Sequence, residues 1–98
     1  MNEDIKYLAN SLYELYQEMY LIYAPEVKRI LKNNIKDKKQ IELCLDNLLN
    51  CPTDKCYDLF LKLCTYYKKI DALSANEYLE IYKELYLDKE ESMTKKRK

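Results

Sequence analysis

Ile5, Leu8, Leu12, Leu15, Met19 and Ile22 follow one another at spacings of three, four, three, four and three. That is an unbroken a/d seam over three heptads, and it predicts a helix from about Asn2 to Tyr23. A second stripe, Tyr13, Tyr16, Tyr20 and Tyr23, keeps the same rhythm and lies about 100° around the helix from the first. Together the two stripes cover roughly half the circumference, so this helix has two faces to bury. Pro25 is expected to end it, because the residue before a proline is pushed out of the α region.

Proline also suits the first turn of a helix, so Pro25 is expected to open a short second helix through Val27, Ile30 and Leu31, fading at Asn33 and Asn34. Asp37 followed by Gln40 has the form of a capping box for a helix carrying Ile41, Cys44, Leu45, Leu48 and Leu49, which Pro52 terminates. Thr53 is the expected N-cap of the next helix, with Asp54 in its first turn and Cys56, Phe60, Leu63, Tyr67 and Ile70 at helical spacing. Ser74-Ala75-Asn76-Glu77 reads as an S-x-x-E capping box, with Leu73 stapled to Tyr78. The helix it opens sets Tyr78, Leu79, Ile81, Tyr82, Leu85 and Tyr86 on one face and Glu77, Glu80, Lys83, Glu84 and Asp88 on the other. The pattern therefore predicts an all-α bundle of four to five helices with a long N-terminal helix. It forms a single domain over residues 1–88, and residues 89–98 are a flexible, basic-ended tail with almost nothing to bury.

Composition supports the same class. Zero glycine and two prolines in 98 residues leave little of the punctuation that hairpins and bulges need. The 17 basic and 17 acidic side chains cancel, which argues against a surface tuned as a whole to nucleic acid or to an anionic membrane. Charge is nevertheless segmented: residues 25–40 set six basic groups against Glu26 and Asp37, and residues 70–91 set Lys83 and Lys89 against seven acids. The acidic start, Met1-Asn2-Glu3-Asp4, is no export leader, and no apolar run approaches the ~18 residues of a membrane span. A cytoplasmic protein is expected, with no membrane partner.

Four cysteines flank the turn near Thr53. In an antiparallel hairpin, residues whose numbers sum to about 107 face each other, which pairs Cys51 with Cys56 and Cys44 with Cys64. Without an export leader, four reduced thiols buried in the core are the leading expectation, ahead of one or two disulfides and well ahead of a metal site. No C-x-x-C occurs and there is no histidine, so no zinc pattern is present and no cofactor is expected.

The same absences bear on catalysis. Without histidine there is no imidazole base, and without glycine there is no phosphate-cradling loop or nucleophile elbow. Pairs such as Glu80/Glu84 and Asp54/Asp58 sit at i, i+4, but 17 acids scattered over helices make such pairs by chance. The expectation is a non-enzymatic module without a small-molecule substrate, binding a protein partner or a second copy of itself as a homodimer. The contacts are expected from Tyr13, Tyr16, Tyr20, Tyr23, Tyr78, Tyr82 and Tyr86, since a tyrosine ring offers an apolar body with a hydrogen-bonding tip. The alternative is a small nucleic-acid-binding regulator. Lys28, Arg29, Lys32, Lys36, Lys38 and Lys39 would then meet phosphates, with the Lys95–Lys98 tail as a second contact.

Overall fold

The computed structural model describes the backbone of residues 2–87 and the side chains of residues 10–86. The expected charged tail lies outside the described residues. Among those residues the chain forms four α-helices, α1 (Asn2–Lys32), α2 (Lys38–Leu49), α3 (Asp54–Tyr67) and α4 (Ala72–Tyr82), followed by a π-helical turn over Lys83–Leu87. The all-α prediction holds. By contacts the chain divides into two units, residues 1–63 and residues 64–98.

In the first unit, Pro25 does not end the first helix. It lies inside a single 31-residue α1 that continues to Lys32. Proline in a helix interior removes one backbone bond and crowds the carbonyl four residues back, that of Leu21. What overrides this cost is burial beyond it: Val27 and Ile30, two and five residues on, are fully buried, and reaching them requires the helical register to be kept. The helix stops at a Schellman turn. Asn34 takes the left-handed conformation at φ 51°, its N–H reaches the Leu31 carbonyl at 3.4 Å, and the Ile35 N–H reaches the Ile30 carbonyl at 3.0 Å. Asparagine tolerates that conformation where most residues do not.

Asp37 caps α2 as the sequence indicates, accepting from the Lys39 N–H at 3.0 Å. Gln40 answers through its side chain, donating to the Asp37 carboxylate at 3.1 Å. Thr53 caps α3, its hydroxyl accepting from the Cys56 N–H at 3.2 Å. Ile41, Cys44, Leu45 and Leu48 of α2 are buried, as are Leu59, Phe60 and Leu63 of α3. They keep the three/four spacing that turns one face of each helix inward. The side of α1 turned into this unit runs through Tyr16, Tyr20 and Tyr23, all half-buried, to the buried Val27 and Ile30.

The thiols divide into two kinds. Cys44 and Cys64 are buried and free, as a cysteine used as a small hydrophobe would be, so the Cys44–Cys64 rung is absent. Cys51 and Cys56 are joined across the turn, with Cα atoms 6.0 Å apart. The expectation of four reduced thiols is corrected at this pair. Thr53 capping α3 brings the chain back on itself within one turn, and that sets the two sulfurs together. Cys51 Sγ also lies 3.5 Å from the Tyr16 carbonyl and 3.7 Å from the Thr53 hydroxyl; bonded to Cys56 it has no proton to donate, so the first is a packing contact and in the second the Thr53 hydroxyl is the donor.

In the second unit α3 ends at Tyr67, and α4 starts three residues earlier than the S-x-x-E reading places it. Asp71 is the N-cap, accepting from the Ser74 N–H at 3.0 Å and from its hydroxyl at 2.8 Å. Ser74 thus answers the cap as a donor and is not the cap itself. A charged carboxylate with two donors is a stronger cap than a hydroxyl. The shift also removes the predicted staple, because Leu73 is 72% exposed. Tyr67 and Ala75 are the fully buried residues of this unit apart from Cys64.

Candidate interaction surface

Length sets the first feature of the surface. At 1.5 Å per residue α1 is about 46 Å long and α2 about 18 Å. α2 begins beside the end of α1, where Arg29 donates to the Gln40 side chain at 3.0 Å. It ends near the middle of α1, where Cys51 meets the Tyr16 backbone. α2 therefore flanks α1 only from about Tyr16 onward, and the amino-terminal half projects past it.

Exposure agrees with that geometry. All six residues from Asn10 to Leu15 are exposed. Leu12 is 47% exposed, Tyr13 59% and Leu15 49%. Further along the same seam Met19 is half-buried while Ile22 is 62% exposed, and Leu43 of α2, at 65%, lies beside it. Ile22 and Leu43 line a groove of about 250 Å³ between α1 and α2, together with Tyr23, Glu26 and Cys44. The seam is thus exposed over Leu12, Leu15 and Ile22, while Tyr16, Tyr20 and Tyr23 of the tyrosine stripe are half-buried. The seam's first members, Ile5 and Leu8, lie outside the residues whose side chains are described.

The tyrosines sit as follows. Tyr13, Tyr16 and Tyr20 line a second groove of about 360 Å³, closed on the far side by Thr53, Asp54 and Lys55 at the start of α3. Lys55 Nζ stands 5.5 Å from the centre of the Tyr20 ring, a cation–π contact worth about 0.5–1 kcal/mol at an exposed site. Tyr78, Tyr82 and Tyr86 belong to the second unit and are half-buried, with the Tyr82 and Tyr86 rings 4.9 Å apart and tilted at 47°. On α4, Leu73 and Ile81 line an open apolar depression bordered by Glu77 and Glu80. Sequence reasoning singled out neither Leu43 nor Leu73 as a surface residue. Leu43 sits off the buried Ile41–Cys44–Leu48 face, and that offset is the signal in the chain that could have found it.

The basic candidates, Lys28, Arg29, Lys32, Lys36, Lys38 and Lys39, are all exposed at the corner between α1 and α2. Arg29 is partly spoken for: its guanidinium pairs with Glu26 and bonds Gln40, and the Glu26 carboxylate holds its pKa above the usual value. The Cys44 and Cys64 thiols are pushed up to about 12, in both cases chiefly by burial, so neither is a nucleophile near neutral pH. Among the described residues no group of three or more cysteine or acidic side chains could hold a metal ion, and no helix is long and apolar enough to cross a membrane. Comparison with known proteins returned no match to a family model, to a curated protein or to a solved structure.

Proposed function

We propose that this chain is a non-enzymatic interaction module, an adaptor, inhibitor or regulator acting in the cytoplasm, whose working surface is the apolar side of α1 rimmed by tyrosine. The observation that carries the reading is the exposure of Leu12, Tyr13 and Leu15 together on one stretch of α1. A single exposed leucine is ordinary. Several on one helix, with Ile22 and Leu43 exposed further along, are the kind of apolar surface that marks interaction sites. Tyr13, Tyr16 and Tyr20 border it with rings whose hydroxyls stay available to a wet rim.

The test pairs a double substitution with a control. Leu12→Ser with Leu15→Ser removes apolar surface that contributes little to the fold, so thermal stability should stay within about 0.5 kcal/mol of the parent, while capture of the native partner is lost. Loss of folding with no separate loss of capture would return Leu12 and Leu15 to the core. The basic corner supports a second reading, phosphate contact, because its six cations are exposed together. Neutralising Lys28, Lys32 and Lys36 would then abolish a salt-sensitive gel shift with duplex DNA, and absence of any shift at low salt removes that reading.

A further inference from the structure

We infer that Cys51 and Cys56 are a reversible thiol–disulfide pair whose oxidation state opens and closes the tyrosine groove, with a low-molecular-weight thiol and its disulfide as co-reactant. The interaction-module reading is needed for the consequence, since that groove borders the proposed working surface, and for the reducing compartment in which the pair would act. Its geometry stands on the turn itself. Thr53, Asp54 and Lys55 lie between the two cysteines and form the far wall of the groove opposite Tyr13, Tyr16 and Tyr20. Lys55 Nζ stands over the Tyr20 ring at 5.5 Å, and Cys51 Sγ rests against the Tyr16 carbonyl at 3.5 Å. Two thiols cannot sit at bonding distance, so reduction widens the turn and draws Lys55 off the Tyr20 face. The oxidised turn closes the groove; the reduced turn opens it.

The four cysteines are divided as such a switch requires. Cys44 and Cys64 are buried and free, and burial pushes both thiols up to about 12. Protonated and enclosed, they do not attack the Cys51–Cys56 bond, so exchange proceeds without scrambling. The bonded pair is only five residues apart in sequence, and so short a loop constrains the unfolded chain weakly. The fold therefore rests on its apolar core and survives reduction. In a reducing compartment a disulfide of this kind is transient and serves to sense or to switch.

Exchange needs the turn to open, because Cys51 is 3% and Cys56 0% exposed. Cys51 and Pro52 belong to neither helix, and the turn is held by the Cys51 N–H on the Leu48 carbonyl at 3.1 Å and the Thr53 N–H on the Cys51 carbonyl at 2.8 Å. Opening it breaks little. A thiolate of the co-reactant then attacks the Cys51 sulfur, and the S–S bonding pair leaves on Cys56, in the first turn of α3, where the helix amides favour a thiolate. A second co-reactant thiolate attacks the mixed disulfide and releases Cys51. Two electrons and two protons have passed to the protein, and two co-reactant thiols have become one disulfide.

The test equilibrates the full chain in buffers of increasing reduced-to-oxidised glutathione ratio, quenches with acid and counts alkylated thiols by mass after unfolding. Labelled cysteines should rise from two, Cys44 and Cys64, to all four, while the helical circular dichroism stays as it was. The Tyr20 ring resonance, assigned by its loss in Tyr20→Phe, should shift with the same midpoint, and Cys51→Ser with Cys56→Ser should hold it at the reduced position in every buffer. Freeing the Tyr20 face should strengthen partner capture roughly two- to fivefold, the fold-change that a surface cation–π contact represents. A bond that survives excess reduced glutathione, helix lost on reduction of the wild type, or a Tyr20 resonance that ignores the thiol titration overturns the inference. If thiols and Tyr20 titrate together the switch stands, and capture that is equal in both forms then counts against the tyrosine rim of the module reading alone.

Discussion

Replacing Pro25 with alanine tests whether α1 is one helix or two, because the two cases give opposite signs. In a helix interior, proline is about 3 kcal/mol less favourable than alanine. Here two terms reduce the difference. Pro25 and Leu21 are both exposed, so water reaches the Leu21 carbonyl that position 25 leaves without a donor, and that part of the penalty is already softened. Alanine also frees the unfolded chain, returning about 0.4–1 kcal/mol to the unfolded side. The net is a gain of about 1–2 kcal/mol for Pro25→Ala, or roughly 5–10 °C in Tm for a domain of this size. Were Pro25 instead the first residue of a separate helix, its fixed φ would already suit the site, and the substitution would be neutral or slightly destabilising. Urea denaturation followed at 222 nm, with the slope compared between variants, measures this directly. A midpoint that is unchanged or lower in the alanine variant refutes the continuous helix.

Other consequences follow from the core and the caps. Ile30→Ala, at a fully buried position, should cost about 2–5 kcal/mol in the same urea titration, whereas Leu43→Ala should cost under about 0.5 kcal/mol. Asp71→Ala should lose about 1 kcal/mol of stability as the cap of α4, and Glu77→Ala should be near neutral; the reverse order would restore the S-x-x-E reading. For Cys44 and Cys64 burial pushes the folded pKa up to about 12, above the ordinary thiol value of about 9. Between these values the native state binds more protons than the unfolded one, so their contribution is fully present below pH 9 and is lost as pH rises toward 12. Urea midpoints should fall over that window, and Cys44→Ala with Cys64→Ala should flatten the fall. Alkylation of the folded protein at pH 8 should spare both thiols.

The chain announced its helical class, the stop at Asn33 and Asn34, the start of α2 and the cap at Thr53, because each is decided by local chemistry: side-chain oxygens beside amide donors, Asn34 at φ 51°, and no glycine to build anything else. It misplaced what depends on distant contacts. Pro25 is a local stop signal overruled by the burial of Val27 and Ile30, and Ser74 is a plausible cap displaced by an aspartate three residues earlier. The surface was half legible. Two stripes on α1 were visible in the spacing. Which stripe faces out was not, because that depends on α2 being less than half as long as α1 and on where it stops. Periodicity reports that a face exists; it does not report which neighbour is long enough to cover it.

Coverage of the exposed stretch of α1 by a partner is the proposition on which the functional reading turns, and amide hydrogen exchange over Asn10–Leu15 reads it most directly. Those amides should gain protection when the captured partner is bound and lose it when the partner is removed, while amides near Ile30 stay protected throughout. Exchange of Asn10–Leu15 that is the same with and without the partner would contradict the account, since the partner would then be bound elsewhere.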